Sequence, residues 1–348
     1  MGTGQGGHVS TMPLSSHRAL RAAAATLFAL ILSGCWGIDG AVTGGIASDT
    51  RESLPAETPT LLVATTRRVE PSGERPWFTG QRGKGLAFAQ ARLAKPERSL
   101  VSRVASVVSG GWSISSVEGA TQEGAAQAFA KAAFGRDVLL YVHGYRESFE
   151  SAAVSAAQLA DGIRFQGATG LFSWPSAGAT FDYVHDRESA MWSRDALEEL
   201  LLALAQSDSG GRIHIVAHSM GTLLTLETLR MLRASGGASA MARIGAVVLA
   251  SPDIDIDLFM RGVERLGPDA RKLTVISSTK DRALALSGRL AGAVRAGAAE
   301  REKLASLEAL GVRIADASDY GGGLINHDLF LSNEEVQQVV KRAIERAG

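Results

Sequence analysis

An apolar run that ends in a tight turn of small residues is the feature that most limits how this chain can fold. Residues 213–217 read Ile-His-Ile-Val-Ala, a pattern typical of a strand that is buried on both faces. A helix is predicted almost at once, over 222–232. A strand that turns so sharply into a helix leaves little room beside the turn, and Ala217 and Gly221 supply small residues there. The segment therefore predicts a strand–turn–helix junction with Ser219 at its apex.

Short apolar runs alternate with amphipathic segments from residue 60 onward. Strands are predicted over 61–65, 86–93, 113–118, 138–142, 169–174, 213–217, 244–250, 272–278 and 312–315. Helices are predicted over 122–134, 150–163, 188–205, 222–232, 258–266 and 332–347, the last with Ser332 and Glu335 as a capping box. This alternation predicts one α/β domain over 60–348, with a mostly parallel central sheet and helices on both faces. Sites in such sheets lie at the carboxyl ends of the strands.

Composition excludes several classes of protein. The chain has 348 residues, of which 45% are hydrophobic and 21% charged, as in globular domains. Lys and Arg together number 36, as do Asp and Glu, and only 6% of residues are aromatic, so nothing supports a nucleic-acid partner. The single cysteine and the absence of an H-E-x-x-H spacing argue against a metal site. We predict neither a metal nor another cofactor, and the oligomeric state stays open.

The first 34 residues have the pattern of a secretory signal. Basic residues, Arg18 and Arg21, precede an apolar run over 22–32, which is too short to span a bilayer. The next residues, Ser33-Gly34-Cys35, complete a segment that looks like a bacterial lipobox, in which the cysteine is lipidated and becomes the mature N-terminus. The alternative is an ordinary signal peptide or anchor helix with an incidental cysteine. Either Met1 or Met12 is the start of this segment.

These features predict an envelope protein held to a membrane. We expect a lipoprotein signal peptide over 1–34, a lipidated Cys35, and a flexible tether over 35–59 that is rich in Gly, Ala, Ser and Thr. Because Trp36 rather than Asp follows the cysteine, resemblance to lipoprotein sorting signals implies the outer membrane if the organism is Gram-negative.

The junction at Ser219 predicts nucleophilic catalysis. A serine at a strand-to-helix turn is the nucleophile elbow of α/β-hydrolases, in which the acid and then the histidine follow along the chain. His327 is the only histidine after Ser219. Asp281 lies just beyond the strand over 272–278 and is the favoured acid, with Asp253, beyond the preceding strand, as the alternative. Asp316 and Asp319 remain further alternatives for the acid.

Two further groups of residues are expected near this serine. The N–H of Met220, after the nucleophile, and that of Tyr145, in the loop after the strand over 138–142, are the predicted oxyanion-hole donors. Trp174 and His143 are possible walls of a substrate pocket.

Six segments taken in order resemble a bacterial family of α/β-hydrolases of unknown function, grouped with esterase- and lipase-like proteins. They are Val142-His143-Gly144-Tyr145, Phe172-Ser173-Trp174-Pro175-Ser176, Ala217-His218-Ser219-Met220-Gly221, Ala250-Ser251-Pro252-Asp253-Ile254-Asp255, Asp281-Arg282-Ala283-Leu284 and Asn326-His327. The resemblance runs from about Thr60 to the C-terminus. It implies an α/β-hydrolase fold and a triad of Ser219, Asp281 and His327.

The expected function is that of a serine hydrolase that cleaves a carboxylic ester, small or lipid, through an acyl-enzyme. Two alternatives stay open. One is an inactive binding or scaffold lipoprotein on the hydrolase fold, and the other is a membrane-associated acyltransferase.

Replacing Cys35 by serine tests the predicted lipid anchor. The Cys35→Ser protein should lose palmitate labelling and be released from the membrane or stay unprocessed, because no other cysteine exists to carry the lipid. Membrane fractionation with palmitate labelling measures this, and labelling that persists in the variant would contradict the prediction.

Overall fold

The computed structural model describes residues 59–94, 111–178, 182–207, 210–321 and 326–348. The predicted signal peptide, Cys35 and all but the last residue of the predicted tether lie outside the described residues. No helix in the described ranges combines the length and the apolar surface needed to cross a bilayer.

A nine-stranded sheet forms the centre of the molecule. Its strands are β1 Thr60–Val69, β2 Phe78–Ala94, β3 Ser113–Thr121, β4 Val138–Val142, β5 Ala168–Ser173, β6 Ile213–His218, β7 Ile244–Ala250, β8 Leu273–Ser277 and β9 Arg313–Asp316. The strand order is β3-β2-β1-β5-β4-β6-β7-β8-β9. The β1–β2 and β2–β3 pairs are antiparallel, and every pair from β1 to β9 is parallel. The predicted mostly parallel α/β sheet is therefore confirmed.

Helices cover both faces of this sheet. They are α1 Ala125–Ala132, α2 Phe149–Gly162, α3 Tyr183–Trp192, α4 Arg194–Gln206, α5 Met220–Arg243, α6 Ile256–Leu266, α7 Arg282–Ala291, α8 Arg301–Ala309, α9 Leu329–Ser332 and α10 Glu334–Glu345. Neighbouring residues of β4 point to opposite faces, so Leu140 packs in one hydrophobic cluster and Leu139 in the other. This is why β4 has no polar residue along its length.

The predicted helix over 188–205 is wrong, because the structure forms α3 and α4 with a break at Ser193. The Ser193 side chain is buried and its Oγ contacts Thr66 Oγ on β1 at 2.8 Å and donates to Ser189 O at 2.8 Å. The periodicity of the sequence does not reveal this contact, because Thr66 lies 127 residues away along the chain.

The capping box predicted at Ser332 and Glu335 is also wrong. Ser332 ends the short helix α9, and Asn333 is the N-cap of α10, where its Oδ1 accepts from the N–H of Val336 at 3.0 Å. Ser332 Oγ donates instead to Asp328 O. Asn and Ser are about equally good N-caps, so residue type alone does not show which of these two neighbours caps the helix.

Alanine substitutions at Asn333 and at Ser332 show which of the two residues caps α10. Asn333→Ala should lower the free energy of unfolding by about 1 kcal/mol, because the α10 N–H groups lose their acceptor. Ser332→Ala is the matched control and should change it by much less. Urea denaturation followed by circular dichroism measures both changes. A larger loss of unfolding free energy in Ser332→Ala than in Asn333→Ala would support the predicted capping box instead.

Candidate active site

Ser219 lies between β6 and α5 in a backbone conformation that residues other than glycine rarely adopt. Its φ is 50° and its ψ is −120°. Its N–H donates to Ala250 O at 3.0 Å, and its carbonyl accepts from the N–H of Thr222 at 3.1 Å, so hydrogen bonds hold the turn. Gly221 permits it, because a Cβ there would lie 2.3 Å from His143 O. The predicted junction forms, with a strained serine at the carboxyl end of a parallel strand.

Asp281 and His327 form a hydrogen-bonded pair at the same edge of the sheet. Asp281 is buried beyond the end of β8, and its Oδ2 accepts from His327 Nδ1 at 2.7 Å. Its Oδ1 accepts from the N–H of Leu284 at 3.0 Å and so caps α7, which fixes the carboxylate. With Nδ1–H engaged, Nε2 is the ring nitrogen left to accept a proton.

Burial by itself lowers the pKa of His327. The charge of Asp281 and the hydrogen bond to it outweigh that effect and hold the pKa above its ordinary value of 6.5. The pair therefore stabilises the imidazolium form of this ring.

Contacts around the backbone of His327 place its ring beside the junction. Its carbonyl accepts from His218 Nε2 and from Ser251 Oγ, each at 3.1 Å. Its ring packs on that of His218, the residue before Ser219, with centroids 4.7 Å apart. No described hydrogen bond joins Ser219 Oγ to His327. Ser219, Asp281 and His327 nevertheless lie at one edge of the sheet.

Asp253, the alternative acid, is held by a different set of partners. Its Oδ1 lies 3.0 Å from Arg295 Nε and accepts from Ser287 Oγ at 2.5 Å, and its Oδ2 accepts from Tyr183 Oη at 2.8 Å. The Asp253 and Arg295 side chains are both almost fully buried. Both carboxylate oxygens are thus engaged, Oδ1 in a buried ion pair and Oδ2 in a hydrogen bond that ties α3 to the sheet edge.

The two remaining candidate acids also have other partners. Asp316 accepts from the N–H of Ser318 at 2.9 Å, and Asp319 contacts Lys280 at 3.3 Å on the surface. In the described part of the chain, the carboxylate that contacts the His327 ring is therefore that of Asp281.

The loop after β4 lies directly against Ser219. A Cβ at Gly144 would be 3.1 Å from Ser219 Cβ and 3.0 Å from His218 Nδ1. The Gly144 N–H donates to Glu147 Oε1 at 3.2 Å, which closes the loop on itself. Tyr145 follows Gly144, and Met220 is the first residue of α5. Both predicted oxyanion donors therefore belong to segments that adjoin the serine.

Trp174 and His143 do not line a pocket, contrary to expectation. Both side chains are fully buried, and their rings stack with centroids 4.8 Å apart. Trp174 Nε1–H donates to His143 O at 2.8 Å, so this pair supports the loop from inside the protein. Burial first, and then the charge of Arg67, lower the pKa of His143 to about 4, so the ring is neutral at pH 7. Their positions at strand ends suggested the pocket, but the sequence does not say which side chains turn inward there.

Comparison with known proteins identifies the family. The model of a family described as "Alpha/beta hydrolase of unknown function (DUF900)" matches residues 118–343. The chain belongs to this family. The sheet order and the family agree on an α/β-hydrolase fold, and the family supports hydrolase activity as a class.

Other similarities are short or weak. An uncharacterized protein of Nostoc sp., alr1448, is 38% identical over 61 residues, which are 18% of this chain and only 16% of that protein. An esterase of Pyrobaculum calidifontis is 12% identical with a TM-score of 0.40, covering 95% of this chain and 92% of its own. Est1E of Butyrivibrio proteoclasticus is 12% identical with a TM-score of 0.40, covering 75% and 95%.

One residue important for this hydrolase's site architecture, Arg67, has no signal in the sequence. Its guanidinium is buried at the end of β1 and donates to Ser173 Oγ (2.7 Å), Ser176 O (3.2 Å) and Glu147 O (2.6 Å). Burial lowers the pKa of Arg67 to about 10, which still leaves it protonated at pH 7. Arg67 therefore joins the end of β5 to the loop that lies against Ser219. Each of these three partners is at least 80 residues away along the chain, so no local pattern could reveal them.

Replacing each acid by its amide should separate Asp281 from Asp253. In Asp281→Asn the pKa of His327 should fall toward or below 6.5, because the imidazolium loses its carboxylate partner. Asp253→Asn should instead leave Arg295 as an uncompensated buried charge and cost about 3–5 kcal/mol of unfolding free energy.

Proton NMR titration of His327 and urea denaturation measure the two quantities. The stability that the raised His327 pKa provides is fully present below the unfolded-state pKa and is lost as the pH rises through the folded-state pKa. Asp281→Asn should remove this pH dependence. If Asp253→Asn produced the larger fall in the pKa of His327, the acid would have to be reassigned.

Proposed function

We propose that this protein is a serine hydrolase that cleaves carboxylic esters through an acyl-enzyme. The observation that carries the proposal is the buried Asp281–His327 hydrogen bond of 2.7 Å beside the strained turn at Ser219. The roles follow from chemistry: Ser219 is the nucleophile, His327 the general base and acid, and Asp281 the group that orients the histidine.

In the first half of the proposed reaction, His327 Nε2 takes the proton of Ser219 Oγ as that oxygen attacks the ester carbonyl carbon. Asp281 keeps the proton of the neutral ring on Nδ1, which leaves the Nε2 lone pair free to act. The negative charge that develops on the carbonyl oxygen is proposed to be met by the N–H groups of Met220 and Tyr145. His327 then gives its proton to the alcohol as the C–O bond breaks, which leaves an acylated serine.

In the second half, His327 takes a proton from water while the water oxygen attacks the acyl carbon. The bond to Ser219 Oγ then breaks, the serine regains its proton from His327, and the acid is released. Because the base must be neutral, kcat/KM should rise with pH through the pKa of His327, which lies above 6.5.

The proposed substrate is a small or lipid ester, and the proposed location is the cell envelope with Cys35 as the membrane anchor. The support for this location is the basic, then apolar, then lipobox-like order of the first 35 residues. An acyltransferase would share the same acyl-enzyme and differ only in using an alcohol in place of water.

Replacing Ser219 tests the proposal. Ser219→Ala should fold as well as the parent and lose turnover of 4-nitrophenyl esters by roughly 10⁴-fold or more, since the acyl-enzyme cannot form. Ser239→Ala, which removes a hydroxyl on the exposed surface of α5, is the control and should retain full turnover.

A fluorophosphonate probe gives an independent readout. It should label the parent and Ser239→Ala on the peptide that contains Ser219, and leave Ser219→Ala unlabelled. A binding or scaffold protein would turn over no ester and react with no probe. Near-parent turnover in Ser219→Ala would show that another group is the nucleophile.

A further inference from the structure

Arg146 lies at the rim of the site with a strained backbone. It is two residues after Gly144, the residue whose Cβ position falls 3.1 Å from Ser219 Cβ. Two residues span at most about 7 Å, and an arginine side chain extends further, so its guanidinium is within reach of a group bound at the serine. Its φ is 62°, a left-handed value that few residues other than Gly, Asn and Asp adopt. Strain of this kind is concentrated at functional sites.

One nitrogen of the Arg146 guanidinium lacks a partner, although the side chain as a whole is only half-buried. Its Nη1 is buried and makes no hydrogen bond, and no described ion pair includes this side chain. An arginine cannot lose its charge, and a buried N–H donor without an acceptor is unfavourable.

Two buried arginines near this edge of the sheet differ from Arg146. Arg295 is paired with Asp253 at 3.0 Å, and Arg67 donates to a hydroxyl and to backbone carbonyls. The buried carboxylate of Asp186 accepts from Ser176 Oγ, from the N–H of Ala177 and from the backbone N–H of Arg146. Nη1 of Arg146 is thus left for an acceptor that the described residues do not supply.

We propose that Arg146 binds an anionic group of the substrate, so that the preferred esters carry a carboxylate besides the ester bond. This inference rests on the proposed function. A guanidinium presents a planar pair of N–H donors that fits a carboxylate in two parallel hydrogen bonds. Binding would satisfy the buried Nη1 and fix the substrate next to Ser219 at the same time.

Matched pairs of esters test this and show which side of the substrate carries the charge. Mono-4-nitrophenyl adipate is compared with 4-nitrophenyl hexanoate, which places the carboxylate on the acyl side. Acetate esters of 4-hydroxybenzoate and 4-hydroxybenzamide place it on the leaving-group side. The quantity measured in each pair is the ratio of kcat/KM for the anionic ester to that for the neutral ester.

In Arg146→Asn the ratio should fall about tenfold to a hundredfold in one of the two pairs, because a charged hydrogen-bonding partner is lost while Asn still accepts a positive φ. Arg146→Lys keeps the charge but loses the planar pair of N–H donors, and should lower the same ratio several-fold. Arg164→Asn is the matched control. Arg164 also has a positive φ, 54°, but is exposed after α2, away from the site, so its ratio should equal that of the parent.

Each outcome decides between the inference and the proposed function. If Arg146 had only a structural role, its replacement would slow the anionic and neutral esters equally and leave both ratios unchanged. That result would overturn the inference. The proposed function would still stand as long as ester turnover depended on Ser219. If Arg146→Asn does not fold, an unchanged ratio in Arg146→Lys overturns it equally. If the parent cleaves none of the four esters and the fluorophosphonate leaves Ser219 unlabelled, the proposed function fails and the inference fails with it.

Discussion

The loops that follow β4 and β6 touch each other backbone to backbone, and the geometry of the whole candidate site depends on that contact. A Cβ at Gly221 would strike His143 O, and a Cβ at Gly144 would crowd Ser219. β4 and β6 are adjacent parallel strands, so both loops leave the same edge of the sheet side by side. Only glycine on both sides lets them approach this closely. The contact brings an N–H-bearing loop against the serine without any side-chain contribution.

Buried polar groups then fix each loop in place. Arg67 and the stacked pair of Trp174 and His143 support the loop after β4, while Asp281 and Ser251 hold the segment that carries His327. These groups replace water by protein donors and acceptors, so a change in one leaves a buried partner unsatisfied. These supports hold the strained, buried Ser219 and the neighbouring half-buried Arg146 in fixed positions. Fixed positions of this kind are what the proposed function requires.

The fold could be predicted, and the residues of the candidate site could be located, from the sequence because their signals are local. The apolar run before Ser219, the alternation of strands and helices, and the position of His327 as the last histidine are all visible along the chain. The supports could not be predicted. Arg67 and the pairing of Asp253 with Arg295 depend on side chains that are distant in sequence and meet only after the sheet has formed. The break at Ser193 and the inward orientation of Trp174 follow from packing that periodicity does not encode.

The direction of β1 sets which way the site faces. β1 runs parallel to β5, and β5, β4 and β6 are parallel to one another, so Thr60 lies at the edge of the sheet opposite Ser219. Across the six residues of β6, this separation is about 20 Å. A surface that lay against the edge of the sheet near Thr60 would therefore face the base of the domain. Ser219 would lie on the opposite side and open away from that surface.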